Sequence, residues 1–146
     1  MHVQENLLLM LSLNQKVNKM ATTVASRKQK GRKLQQSVRD RVLELYPTLT
    51  DRDVVSAPMG VPGEDIQLSQ VASELFPYSV ECKNVERLNI WAALEEAEGN
   101  NRDLEPIVVF KRNRSKTYCC LSFETFMELI KQNGANTNHK NDSKNT

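Results

Sequence analysis

The sequence predicts an α/β domain built on a central mixed sheet of five strands flanked by helices, and three observations predict it. Leu34, Val38, Val42 and Leu45 recur at spacings of four, four and three, which draws one apolar stripe along a helix. Ile66 and Leu68 alternate with Asp65 and Gln67, and Tyr78, Val80 and Cys82 alternate with Ser79, Glu81 and Lys83, the period of half-buried strands. Residues 107–110 form a short apolar run introduced by Pro106 and followed by a basic turn.

Taken in order, the first helix ends at Pro47 and carries Arg32, Arg39 and Asp40 on its far face. Val54 and Val55 start a short strand, and Gly60, Pro62 and Gly63 supply a turn into the strand that Asp65 begins. A brief helical connection over 71–76 leads to Pro77, which opens the third strand. Leu88, Trp91 and Ala92, with Ile90 and Leu94, mark a second helix in which Trp91 reads as core rather than as a stacking platform for bases. After the strand at 107–110, a turn over 112–115 returns the chain as a paired strand at 117–121. Ser122 is suited to cap a last helix that packs Phe123, Phe126, Met127 and Ile130 inward. The order is helix, three strands, helix, two strands, helix, with no internal repeat.

These elements place one domain at 26–132, and a chain of 146 residues has room for one modest core. Residues 1–25 show no persistent period and read as a flexible extension, in which 7–13 could form a helical turn. Met20, followed by Ala21, Thr22 and Thr23, would make an ordinary start. Residues 133–146 carry no apolar side chain beyond Ala135 and read as a disordered tail.

Composition narrows the chemistry. No apolar run approaches the ~20 residues that cross a bilayer, and the 7–13 run lacks the basic flank of a signal peptide, so a cytoplasmic protein without membrane contact is expected. Cys82, Cys119 and Cys120 are odd in number and lack metal-site spacing. His2 and His139 both fall in the tails, which argues against a histidine base. No G-x-x-x-x-G-K-[ST] run is present. What remains is chemistry on carboxylates and lysine. The net charge of +2 hides two basic clusters, one from Arg27 to Lys33 and one at Lys111, Arg112, Arg114 and Lys116. They are either a face for polyanions or solvated surface charge.

The informative segment is G-E-D-I-Q-L-S followed by P-Y-S-V-E-C-K-N. Glu81 and Lys83 lie two apart on a strand and so share a face. If the preceding strand is a neighbour, Asp65 approaches Glu81 across the sheet. Two adjacent carboxylates repel, and a hard divalent cation such as Mg²⁺ relieves that conflict with oxygen ligands, to which the Cys82 carbonyl could add. Lys83 would then orient or deprotonate an attacking water and neutralise developing phosphorane charge. An exposed face with a cross-strand ion pair is the plainer alternative. Asn84 and Glu86 either reach such a site or cap the following helix, with capping favoured.

Asp65, Glu81 and Lys83 together resemble the PD-(D/E)XK nuclease superfamily, and more narrowly its Holliday-junction-resolvase-like branch, over about residues 30–130. The resemblance extends to Lys30 and Gly31 of a K-G-x-x-x-E motif, but Gln35 stands at the acidic position. It implies a restriction-endonuclease-like fold and Mg²⁺-dependent hydrolysis of DNA (Mn²⁺ as substitute), on branched or junction DNA as in recombination, repair or phage DNA processing. It also implies a homodimer, with Asp65, Glu81 and Lys83 catalytic and Asp65, Glu81 and the Cys82 carbonyl on the metal. Gln35 and Glu64 are possible outer partners, and Arg32, Lys33, Lys111, Arg112 and Arg114 are candidate DNA contacts. A catalytically silent DNA-binding module, or a repair nuclease or nickase of other substrate preference, are the alternatives.

Overall fold

The computed structural model describes residues 2–101 and 103–141, with side chains described through 135. Along them run α1 (His2–Leu45), β1 (Val54–Ser56), β2 (Ile66–Leu68), α2 (Gln70–Leu75), β3 (Tyr78–Asn84), α3 (Ile90–Asn100), β4 (Glu105–Lys111), β5 (Tyr118–Cys120) and α4 (Phe123–Asn141). No helix among the described residues is long and apolar enough to cross a membrane.

The expected five-stranded sheet is corrected to two small ones. β1 and β2 pair antiparallel, while β3, β4 and β5 form a second sheet, with β3 and β4 parallel and β4 and β5 antiparallel. The break falls between β2 and β3, and its cause is local. The Asp65 N–H donates to the Val80 carbonyl at 3.1 Å, as a paired strand would. The next rung, the Cys82 N–H, is then taken by the Asp65 side chain at 2.6 Å instead of by a main-chain carbonyl. A side chain ends the ladder one rung after it begins, so β2 abuts β3 without extending its sheet.

The main core lies between the sheets and α1. Leu34 and Val42 of α1, Val54 of β1, Ile66 of β2, Ala72 of α2 and Val80, Cys82 and Ile107 of the larger sheet are all buried in one cluster. Gly31 belongs to the same face: a Cβ there would meet the Met59 side chain at 3.1 Å. On the other face of the larger sheet, Ala93 and Ala97 of α3 press against Val108. Their small side chains bring this helix close to the sheet.

Four further expectations differ from what the structure shows. The segment expected to be a flexible extension is helical: α1 is a single helix of 44 residues, ~66 Å long. Residues 2–29 are nevertheless exposed throughout, because α1 reaches its own domain only from residue 30 on. The tail expected to be disordered from 133 is helical to 141, and 142–146 lie outside the described residues. Ser122 does cap α4, accepting from the Thr125 N–H at 3.1 Å, but Phe123, Phe126, Met127 and Ile130 point outward, 48–70% exposed. Trp91, expected in the core, is 75% exposed, because Ala93 and Ala97 set the buried face of α3 and Trp91 falls on the other side.

The approach to the smaller sheet is held by Asp53. Its carboxylate accepts from the Thr50 N–H at 2.8 Å, the Thr50 hydroxyl at 2.9 Å and the Ser69 hydroxyl at 2.8 Å, and Ser69 caps α2. These bonds, the Thr50 N–H foremost, hold the Asp53 carboxyl below its ordinary value. A carboxyl lowered by folding stabilises the fold above its unfolded pKa and loses that contribution as pH falls through the folded one. Asp53→Asn should therefore be less stable than the parent at neutral pH, with the two converging under strong acid. Melting curves across pH check this, and a gap that widens in acid would contradict it.

A chain beginning at Met20 should keep its melting temperature, because the side chains of 2–19 bury nothing. A clear loss of stability would show that this part of α1 is covered in solution.

Candidate active site

β3 supplies the framework. Glu81 and Lys83 leave it on the α3 face, while Val80 and Cys82 enter the main core. The Lys83 Nζ lies 2.8 Å from Glu81 Oε1, so the predicted shared face is observed. Val80 and Cys82 turn their main-chain groups toward the free edge of β3, where Asp65 arrives from the turn before β2. In an extended strand a residue's N–H and C=O leave on the same edge, so the Cys82 carbonyl also faces the side from which Asp65 approaches.

Gln35, the departure from the acidic pattern, reaches this centre. Its Nε2 donates to Asp65 Oδ1 at 2.7 Å across thirty residues of sequence. The side chain is 4% exposed, and its Oε1 is buried without a partner. Glu64 Oε1, next to Asp65, is the other buried side-chain oxygen without a partner among the described residues. An unmet buried acceptor costs ~1–3 kcal/mol, so the Gln35 oxygen, on the amide that holds Asp65, is open to a donor or a cation.

Two residues escaped the sequence reading. Glu96 of α3 accepts from Lys83 at 2.5 Å, and Asn100 of α3 donates to Glu81 Oε2 at 3.0 Å. The available signal was the pair Ala93 and Ala97, which fixes the buried face of α3 and leaves the positions three residues after each, Glu96 and Asn100, on one flank. Asn84 and Glu86 do not cap α3, contrary to expectation; Asn89 does, accepting from the Ala92 N–H. Asn84 instead donates to the Lys30 carbonyl at 3.3 Å, and Glu86 accepts from the Asn113 N–H at 3.0 Å.

The electrostatics follow from this packing. Burial raises the Asp65 carboxyl above its ordinary value, opposed by the Cys82 N–H, the Lys83 charge and the Gln35 amide. Burial also raises Glu81; the hydrogen bond from Lys83 opposes this, and the charge of Asp65 adds to it. For Lys83 burial pulls downward, but the bonds to Glu81 and Glu96 outweigh it and hold the ammonium above its usual value. Burial pushes the Cys82 thiol far up and keeps it neutral, so its contribution to the site is its backbone.

Among the described residues no three His, Cys, Asp or Glu side chains gather as a ready metal cluster. A hard cation here could draw only on a mixed donor set: the Asp65 and Glu81 carboxylates, with the unpartnered Gln35 amide oxygen and the Cys82 carbonyl as neutral oxygens. Such oxygen-only sets suit Mg²⁺.

The basic residues divide. Lys111 ends β4 beside Asn84, and Arg112 and Arg114 stand exposed in the following turn, Arg114 with φ of 59°. Arg32 and Lys33 are exposed on α1, and Lys33 lies ~160° round the helix from Gln35, away from the site. Arg27, Lys30 and Arg87 instead line a cleft of about 690 Å³ with Asn84 and Asn113, opening where β3 ends, one residue past Lys83. None of these three is in an ion pair among the described residues.

If a cation relieves Asp65 and Glu81, millimolar Mg²⁺ or Ca²⁺ should raise the melting temperature, with a gain of ~2.7 kcal/mol at a hundred times Kd. The gain should be absent in Glu81→Gln. It should also shrink on mild acidification, since carboxyls raised by folding take up protons there that compete with the cation. An unchanged melting temperature in both ions would remove the cation from this site.

No family model, curated protein or solved structure matches this chain, so its function is argued from the geometry above.

Proposed function

We propose that the chain is a divalent-metal-dependent phosphodiesterase acting on DNA, with Asp65, Glu81 and Lys83 as its catalytic residues. The observation that carries this reading is the meeting of Asp65 with Glu81 and Lys83 at the free edge of β3. Four elements contribute there: α1, the turn before β2, β3 and α3. Asp65 and Glu81, with the Cys82 carbonyl and the Gln35 amide oxygen, would hold Mg²⁺ or Mn²⁺. When bound, the ion would supply Lewis-acid polarisation of the phosphodiester.

The chain's own residues divide the remaining work. Lys83, held as an ammonium by two carboxylates, donates hydrogen bonds and positive charge to an attacking water or a phosphoryl oxygen. Of the two roles the sequence left open, this favours orientation over proton abstraction. Glu96 and Asn100 position Lys83 and Glu81 from α3, and Gln35 positions Asp65 from α1. Arg27, Lys30 and Arg87 along the cleft, and Lys111, Arg112 and Arg114 at the hairpin tip, would grip phosphates without reading sequence. The family resemblance of the motif favours branched or junction DNA within this substrate class.

A structural ion-pair network is the second reading, favoured by the placement of Lys83 between Glu81 and Glu96. The two readings part under mutation. Glu81→Gln and Lys83→Ala should each lower single-turnover cleavage of duplex or four-way-junction DNA by roughly 10²–10³ or more while binding persists. Ca²⁺ should support binding without cleavage. Cleavage at the parental rate by either variant would leave only the ion-pair network.

Neutralising Lys111, Arg112 and Arg114 together, and separately Arg27, Lys30 and Arg87, should flatten the salt dependence of binding by about one unit of log–log slope for each phosphate released from its cation. Salt titrations of both triple variants identify the face in use. Unchanged slopes in both would place DNA elsewhere.

A further inference from the structure

The charge along α1 is one-sided. No Asp or Glu stands between Glu5 and Asp40, and every charged residue in that stretch is Lys or Arg. At ~100° per residue, Lys16, Lys19, Arg27 and Lys30 fall within an arc of ~80°, so they form one row along the helix. Leu34 lies in the same arc and is buried in the core. The row therefore continues the face that α1 turns to its own domain.

This row leads into the cleft beside the end of β3. Thr23 and Arg27 line both the cleft and the surface formed by Lys16, Lys19, Met20 and Val24, so the two are continuous. Lys30 stands five residues, ~7.5 Å of helix, from Gln35, which holds Asp65. None of the four cations is in an ion pair among the described residues. The Thr22 and Thr23 hydroxyls donate to the Asn18 and Lys19 carbonyls, which leaves charge as the main feature of this surface. Beyond Lys16 the same face carries Leu9 and then Glu5, and the row stops.

We propose that the row is a track for single-stranded DNA, along which a tail of the substrate runs from the cleft out to Lys16. The proposal rests on the phosphodiesterase reading and narrows its substrate to DNA that carries a single-stranded arm. From Lys30 to Lys16 is ~21 Å of helix, the axial length of about six phosphates of one strand. Six phosphates span more than half a turn of B-DNA, over which a duplex strand winds to the far side. A straight helix cannot follow that path, whereas a single strand can follow the helix. The cleft agrees, since its 690 Å³ equals a cube ~9 Å on edge, narrower than the ~12 Å major groove of a duplex. A charged groove that follows the backbone is how proteins hold a single strand without reading its sequence. An anionic bilayer would meet the same charges, but a flat surface cannot enter a cleft to reach Lys30 and Arg87.

The test is binding in Ca²⁺, by fluorescence anisotropy, of the full chain to one duplex in three forms: blunt, with a tail of about three nucleotides, and with a tail of about ten, which outlasts the track. Tails are placed on the 5′ and on the 3′ end in turn. The parent should bind the long tail most tightly and the blunt duplex least, for at least one tail polarity. Lys16→Gln with Lys19→Gln should remove the advantage of the long tail over the short one. It should also lower the log–log salt slope on the long tail by about 1.4, at ~0.7 per cation for a single strand. Arginine at both positions should restore both, and the melting temperature should hold in either variant because both side chains are exposed. A parent indifferent to tails, or a glutamine variant that keeps the long-tail advantage and the slope, overturns the track. Vesicles of phosphatidylcholine and phosphatidylserine, offered without Ca²⁺, are the other arm: vesicle binding that the glutamine variant loses while its DNA binding stays intact would assign the row to a membrane and overturn it too. The chemistry is judged separately in Mg²⁺. A parent that prefers long tails but cuts no DNA keeps the track and loses the phosphodiesterase reading, and one that cuts but ignores tails loses only the track.

Discussion

The carboxylate of Asp65 accepts from the Cys82 N–H on β3 and from the Gln35 amide on α1, and the Asp65 N–H reaches Val80. Three parts of the molecule therefore meet on one residue. Because its side chain occupies a rung of the ladder, β2 stays with β1 and the larger sheet keeps three strands. The same substitution of side chain for backbone leaves a charged group at a sheet edge, half-buried, beside a second carboxylate. Structural and chemical roles thus compete for the same two oxygens. Burial raises both carboxyls, and the donors around them only partly compensate.

The order and type of the elements are legible in the sequence because alternation and helical spacing report which side chains share a face. That kind of pattern is local, and it holds for β3, where Glu81 and Lys83 face α3 and Val80 and Cys82 face the core. It does not report what covers a face. The stripe on α4 is a true stripe but an exposed one, and Trp91 likewise lies outside, since amphipathicity specifies an apolar side but not its neighbour. The number of strands in a sheet is equally out of reach. It turns on whether one N–H is met by a backbone carbonyl or by a carboxylate thirty residues from its helix partner, and no periodicity records that.

Within the site, the residues legible in the sequence are those joined by short spacing on one strand or by a recognised upstream aspartate. Gln35 stands out as a departure, and the structure gives it a direct bond to Asp65, so an amide stands where a carboxylate was expected. That exchange removes one negative charge from a crowded centre while retaining a side-chain oxygen. Glu96 and Asn100 are invisible to sequence reasoning because they act across a helix–sheet gap. Their relation to β3 depends on three-dimensional approach and not on position in a motif.

That approach is set by residues with no polar chemistry. Ala93 and Ala97 are the only side chains of α3 that are fully buried among the described residues, and they are the smallest that still have a Cβ. The distance between α3 and β3 is therefore a matter of methyl groups. The reach of Glu96 to Lys83, and of Asn100 to Glu81, is inherited from that distance. A change of one or two carbons at either alanine would lift the helix like a shim under a hinge and misalign the ion pairs without touching a charged residue. The tolerance of this site is thus written in alanines, and its drift over sequence change would first appear at positions that look inert.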